Sequence, residues 1–519
     1  MQWAFIFEIR TKMINNIKII FNRPLVLLSF SLAIGIMFSR ASGFIYEGSW
    51  ILVLILLALL ATLIFEKVTL LVIGILVAFL GSFLYGISLQ SELISFDLTS
   101  NNTSIVAEVL SAPTTRRNKL EVDVKIKQIR KNDLITDINE KVKVKVNVND
   151  EHEEKARRIL SVGNFIRMNK VTNQNTLTYL DGYDLYLKSN NIHVVLEVNA
   201  EHVHLIKTEN KYSFTSLSLT FKKYVEKFFD STIQDPYNNV VKSVLFGNQG
   251  YMSKEMLANY SRSGTAHIIA VSGLHIGIIV IILGKILEFA GMNKNNRLLF
   301  TMLLLFFYAY TLNFPTSVVR AGAMYLLYVV SYFTNRRYDS VNTLFLIAFV
   351  VLLVGPLSLF SVSFQLSFMA TFSILVFYPI IYNKLNKTPE VLKKLLAVSI
   401  SAQIGTIPII AYHFNQISII SLLANLLIVP TIGLLISLAI VSVMVSLMSF
   451  HIASLISLIT NGLLIYIDLT VSKLAEMPFS SIEINDIRQI YIIIYYSILI
   501  ALYCWSRYKS KTSRELDYV

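Results

Sequence analysis

The sequence has almost none of what holds a disulfide-bonded, metal-bound or soluble globular domain together. Its 519 residues contain one cysteine, Cys504, so there is no disulfide framework and no thiolate metal cluster. A zinc helix would carry histidines four apart beside a carboxylate, and none is offered. No Walker P-loop is present, because Gly284-Lys285 lacks both the upstream glycine and a following Ser or Thr. Charged residues make up only 15% of the chain, well short of the roughly one quarter that a soluble domain carries. No small-residue cleavage site follows the first apolar run, 24–38, although Arg10, Lys12, Lys18 and Arg23 precede it as they would in a signal peptide. That run reads as a retained helix.

What fills the chain instead is apolar: 54% hydrophobic residues and a mean hydropathy of +0.59. Runs such as 50–65, 70–89, 267–288, 298–312 and 341–354 approach the length needed to cross about 30 Å of hydrocarbon. They predict a polytopic α-helical membrane protein of about twelve transmembrane helices. The formal charge of +13 sits largely in short connections: Lys294 and Arg297, Arg336 and Arg337, Lys384 to Lys394, and a basic tail at 506–519. The positive-inside rule then places both termini in the cytoplasm.

Three spans, 24–39, 50–65 and 68–89, form the N-terminal segment 1–89 and lead outside. Residues 90–212 then change character. Period-2 runs such as 120–126 and 141–146 predict half-buried strands, hence an extracytoplasmic β-domain with about as many acids as bases. Residues 213–263 predict amphipathic helices with Phe221, Tyr224, Val225, Phe228 and Phe229 at helical spacing, either packed on the spans or lying at the membrane surface. The block 264–505 holds about nine spans, an odd number, if 418–449 is one helix interrupted at Pro430-Thr431-Ile432-Gly433.

The stretch SGTAHIIAVSGLHIG at 263–277 is the densest in unusual residues. Read as one helix, it puts Ala266, Ala270, Gly273 and Gly277 within roughly 60° of each other, a seam of small side chains for close helix packing. His267 and His275 fall on another face, with Ser272 about 60° or more away. Two readings of the histidines stand: hydrogen bonding inside the bundle, or lining a polar path. Arg320 near the outer end of its span, and Gln365, Gln403 and Asn425 at membrane depth, pose the same choice. Asp468 is a further intramembrane acid, and Asp339, beside Asn342, is placed to start a helix.

This stretch resembles the signature of the ComEC-type competence family. Further similar motifs follow in order: NFPTSVVRAGAMYL (313–326), RRYDSVNTLFLIA (336–348), FQLSFMATFSIL (364–375), SAQIGTIPI (401–409) and SLLANLLIVP (421–430). VGNFIRM (162–168) and LDGYDLYLKSNNIH (180–193) resemble the family's OB-like outer domain more loosely. The resemblance implies a multi-pass protein of the bacterial cytoplasmic membrane, with an inserted OB-like β-domain outside, that passes single-stranded DNA inward. It implies no cofactor. His267, Ser272, His275, Arg320, Gln365, Gln403 and Asn425 become candidates for the path, and Tyr179, Tyr183 and Tyr186 for base stacking in the β-domain. Core or surface filling is the competing role for these tyrosines.

Long members of that family carry a metallo-β-lactamase-like nuclease domain with a His-x-His-x-Asp-His pattern. Here the only His-x-His is His202-Val203-His204, on one expected strand face and without the Asp-His half. The expected partners are therefore single-stranded DNA, membrane lipids, a separate nuclease, a DNA receptor, a cytoplasmic motor and further copies of the chain. Two other functions remain open: a permease for another anionic solute, or a membrane-embedded hydrolase using His267, Ser272 and His275. The hydrolase lacks a carboxylate placed to orient a histidine.

Overall fold

The computed structural model describes residues 23–42, 69–89, 103–111, 113–116, 119–131, 134–148, 153–176, 182–208, 214–484 and 487–516. The expected span at 50–65 and the side chains of Tyr179, Tyr183, Tyr186 and Cys504 lie outside what is described.

Helices α1 (Pro24–Ser42) and α2 (Thr69–Ser88) precede the β-rich region. That region runs β1 (Thr103–Val109), β2 (Thr114–Arg116), β3 (Lys119–Lys131), β4 (Leu134–Asn147), α3 (Glu153–Ile159), β5 (Phe165–Asn169), β6 (Thr172–Thr176), α4 (Gly182–Ser189), β7 (Ile192–Asn199) and β8 (Val203–Lys207). Next come α5 (Phe214–Thr232), α6 (Tyr237–Phe246), α7 (Lys254–Arg262), α8 (Gly273–Phe289), α9 (Lys294–Thr311), α10 (Thr316–Phe333) and α11 (Ser340–Val354). The chain closes with α12 (Val362–Lys384), α13 (Glu390–Phe414), β9 (Gln416–Ser418), α14 (Ser421–Ser446), α15 (Phe450–Glu476), β10 (Ser481–Glu483) and α16 (Gln489–Leu516).

Two compact units result. One comprises Met1–Gly86, Leu326–Leu426 and Met477–Val519, the other Ile87–Tyr325 and Leu427–Glu476. The unit boundaries fall inside α2, α10 and α14 and at the end of α15. Six described helices are long and apolar enough to cross a membrane: Pro24–Ala41, Thr316–Phe333, Val362–Lys384, Glu390–Phe414, Ser421–Ser446 and Phe450–Glu476. Three shorter apolar helices, Ile73–Ser88, Ser340–Val354 and Gln489–Tyr503, accompany them.

The β-region forms an eight-stranded sheet in the order β6-β7-β4-β3-β1-β5-β8, with β2 added on β3. All pairings are antiparallel except β4 with β7. No pairing joins β6 to β8 among the described residues. Alternation builds its core: Leu120, Val122, Val124 and Ile126 of β3 and Val142, Val144 and Val146 of β4 point inward, fully buried. Outward, Asp123 opposes Lys143 and reaches Nζ of Lys143 at 2.9 Å and of Lys141 at 3.0 Å. Burial pushes the Asp123 carboxyl up, and the two lysines together push it further down, leaving it below the ordinary aspartate range. His202 ends a 3-10 turn at Ala200–His202 and only His204 lies in a strand, so the expected shared face of the two rings does not form.

The aromatic face of α5 packs on neighbouring helices. Phe214 meets Tyr310 at 4.7 Å between ring centroids, Phe221 meets Phe307 at 5.5 Å, and Phe228 meets Phe450 at 6.1 Å. In the other unit, α1 and α2 cross so closely that a Cβ on Gly35 would lie 1.7 Å from the Ala78 carbonyl oxygen. One on Gly81 would lie 2.4 Å from the Leu32 oxygen. Asp339 starts α11 as expected, accepting from the N–H groups of Val341 and Asn342 at 3.0 Å each. It also pairs with Arg23 at 2.8 Å. The interruption expected at Pro430 is absent: α14 is a single helix of 26 residues containing that proline. The Thr431 hydroxyl donates back to the Leu427 carbonyl at 3.2 Å, one turn earlier.

Candidate functional site

The signature stretch is not one helix. After α7, Gly264 adopts a left-handed φ of 76°, a conformation open to glycine, and the Ser263 and Thr265 hydroxyls meet at 2.7 Å, both fully buried. A 3-10 turn covers Ala266–Ile268, and the backbone stays extended at Ser272 before α8 begins at Gly273. Ala266 and Ala270 therefore do not share a helix face with Gly273 and Gly277, and the expected small-residue seam does not form. A Cβ on Gly277 would meet nothing within 4 Å. The Ser, Thr and Gly residues of the stretch offer the backbone turn and cap hydrogen bonds in place of helix, which the wheel could not register.

Ser272 is the N-cap of α8, and His275 folds back onto it. The Ser272 N–H donates to His275 Nδ1 at 3.2 Å, and the Ser272 hydroxyl lies 2.9 Å from the same nitrogen. This corrects the expected separation of Ser272 from the histidine face. Because Nδ1 accepts from an N–H, the ring hydrogen belongs on Nε2. His275 is 2% exposed and Nε2 has no hydrogen-bond partner among the described residues. Among the described residues no carboxylate orients the ring as a Ser-His triad requires. His267, by contrast, is exposed and its Nδ1 lies 3.2 Å from the Gly264 carbonyl oxygen.

The start of α10 closes on this cap. Ser317 donates to the Val271 carbonyl at 2.5 Å. The Arg320 guanidinium sits on Gly273, with Nη2 only 2.9 Å from where a Cβ would stand. Arg320 is 7% exposed. The end of α6 packs from another direction. Gly247, at a φ of +67°, abuts Val271, whose Cγ2 would lie 3.2 Å from an added Cβ, and Tyr308 donates to the Leu245 carbonyl at 2.5 Å. Asp468 on α15 is half-buried and within electrostatic reach of Tyr260.

Gln365, Gln403 and Asn425 belong to the other unit. Gln365 Nε2 donates to the Leu359 carbonyl at 3.0 Å, which turns its oxygen towards His413 Nε2 at 2.9 Å. Gln403 donates to the Ser421 hydroxyl at 3.2 Å. Asn425 Oδ1 is buried without a hydrogen-bond partner among the described residues. His413, near the end of α13, was not singled out by the sequence; a lone histidine in a helix with Pro408 has no periodicity to mark it. No group of three or more His, Cys, Asp or Glu is arranged to hold a metal among the described residues.

ComE operon protein 3 of Bacillus subtilis is 31% identical over 248 residues, covering 48% of this chain and 31% of that protein. An uncharacterized protein of Aquifex aeolicus is 30% identical over 210 residues, 40% of this chain and 48% of its own length. Recombination protein 2 of Haemophilus influenzae is 27% identical over 203 residues, 36% of this chain and 26% of that one. This chain thus spans between about a quarter and about half of the relatives it matches. No solved structure matches it. The model of the family described as Competence protein matches residues 244–509, taking in the α8 cap, Arg320 and the Gln365–His413 pair, and this chain belongs to that family.

Proposed function

We propose that this chain forms a membrane conduit that admits single-stranded DNA to the cytoplasm during natural transformation. The observation that carries the reading is Arg320 on Gly273. A guanidinium, 7% exposed, stands beside the N-terminal turn of a 17-residue helix, so two sources of positive potential meet inside an apolar block. An anionic chain passing there is attracted by that positive potential. Membership of the Competence protein family and relatives named ComE operon protein 3 and Recombination protein 2 support DNA as that anion.

In this reading His275, Ser272 and His267 shape the mouth of the α8 turn, and Gln365, Gln403 and Asn425 supply polar groups in the other unit. The β-domain, outside, presents the strand, with Tyr179, Tyr183 and Tyr186 as stacking candidates. Both termini are cytoplasmic, and a receptor, a nuclease and a motor are separate proteins.

The test is uptake of fluorescent DNA by cells carrying Arg320→Ala or Arg320→Lys, with membrane levels matched. Arg320→Ala is expected to lower uptake at least tenfold, and lysine to restore part of it as a point charge. Normal uptake with alanine would sink the assignment. A permease for another anion would draw on the same positive site; intact transformability of a deletion strain would favour it.

A further inference from the structure

A proline inside a helix removes one N–H and leaves the carbonyl four residues earlier without its helical partner. In α13, Pro408 does this to Ile404. The hydroxyl of Tyr495 on α16 donates to that oxygen at 2.9 Å, and Tyr496 donates to the carbonyl of Gly405 at 2.7 Å. Two adjacent side chains of one helix thus hold two adjacent carbonyls where the α13 ladder is open.

The same point bears on α12. A Cβ on Gly405 would lie 2.6 Å from Ser373 Cβ and 3.0 Å from the Met369 oxygen, so the two backbones touch there. Beyond Pro408, His413 Nε2 of α13 lies 2.9 Å from Gln365 Oε1 of α12. From Pro408 to His413 is an arm of about 7.5 Å at helical rise. A change of about 20° in the kink would carry His413 by about 2.5 Å, which ends a hydrogen bond of 2.9 Å.

We propose that Tyr495 and Tyr496 are positioning residues that set the kink of α13 at Pro408 and thereby decide whether His413 meets Gln365. The consequence, gating of the polar path, rests on the conduit reading; the hinge itself does not. A phenol is suited to the task because its ring packs in an apolar setting while its hydroxyl supplies the missing donor.

The experiment places spin labels at Lys394→Cys and Phe414→Cys, both exposed and on either side of the kink, in a Cys504→Ala background of the purified full chain. Y495F/Y496F keeps the rings and removes the donors. Losing two hydrogen bonds shifts the equilibrium between kink angles by on the order of tenfold to thirtyfold. The expected result is a broadened or displaced distance distribution, shifted by about 1 Å, since arms of about 21 Å and about 9 Å meeting at Pro408 shorten only slightly for a change of about 20°. With Pro408→Ala the Ile404 carbonyl regains its own N–H, and the same tyrosine changes should then be silent. An unchanged distribution in Y495F/Y496F, or an equal change with Pro408→Ala present, overturns the hinge. If the double variant does not reach the membrane, Y495F and Y496F singly carry the same comparison. DNA uptake is scored separately: a distance response without loss of uptake upholds the hinge and counts against the conduit.

Discussion

Replacing Gly35 by alanine should separate α1 from α2, whereas the same change at Gly277 should not disturb any neighbour. At Gly35 the new carbon would stand 1.7 Å from the Ala78 oxygen, 2.5 Å from its carbonyl carbon and 2.8 Å from its Cα. All three are backbone atoms, so no side-chain rotation relieves the clash. Ordinary contact begins at about 3.5 Å, and the helices must therefore part by nearly 2 Å. A gap of 0.5–1 Å already forfeits roughly a quarter to a half of each contact's attraction. Overpacking of this kind costs about 1–3 kcal/mol, against a gain of up to about 1 kcal/mol from alanine's better helix propensity. The net expectation for Gly35→Ala is a loss of up to about 2 kcal/mol. At Gly277 nothing lies within 4 Å of the added carbon, so only the propensity gain remains. Thermal unfolding of the purified protein in detergent, followed by the surviving monodisperse fraction, compares the two. Equal destabilisation by both changes would refute the reasoning, because it would return the packing seam to the signature stretch.

Acid should weaken the β-domain through Asp123. Its folded carboxyl lies below the ordinary range, so its contribution is present above the unfolded value near 4 and is lost as pH falls through the lower folded value. Limited proteolysis of the β-domain across that window should show the loss in the wild type and a flatter profile in Asp123→Asn. At α11, Asp339→Ala should cost about 1–2 kcal/mol, mostly as a lost cap, while Arg23→Ala should cost at most about 0.5 kcal/mol because the ion pair is 30% and 40% exposed. Asp339→Ser should recover most of the loss in the same unfolding assay; if Arg23→Ala proves as damaging as Asp339→Ala, the ion pair and not the cap is the stronger term.

Features with a short-range cause could be read from the residues in order. The alternation in 120–126 and 141–146 became paired strands, since a strand's period of two is local. Asp339 became a cap for the same reason. The signature stretch misled where the reading assumed helix throughout. Wheel angles for Ala266 and Ala270 have meaning only if the helix reaches them, and Gly264 and Ser272 stop it. Ser272 then meets His275 through cap geometry, a relation that a wheel assigns to separate faces.

By itself the sequence determined the apolar class of the chain, the β-rich insertion and the ordered motifs of its family. These depend on composition, local periodicity and short strings. Tertiary structure alone decided that glycine matters for packing at Gly35, Gly81 and Gly405, that Arg320 rests on Gly273, and that His413 partners Gln365. Each depends on which distant backbone approaches a given residue, and such approaches are set by the crossing of helices far apart in sequence. The tyrosines at the Pro408 kink show the reason most directly: the proline is visible in the chain, but the donor that answers its orphaned carbonyl arrives from 91 residues away.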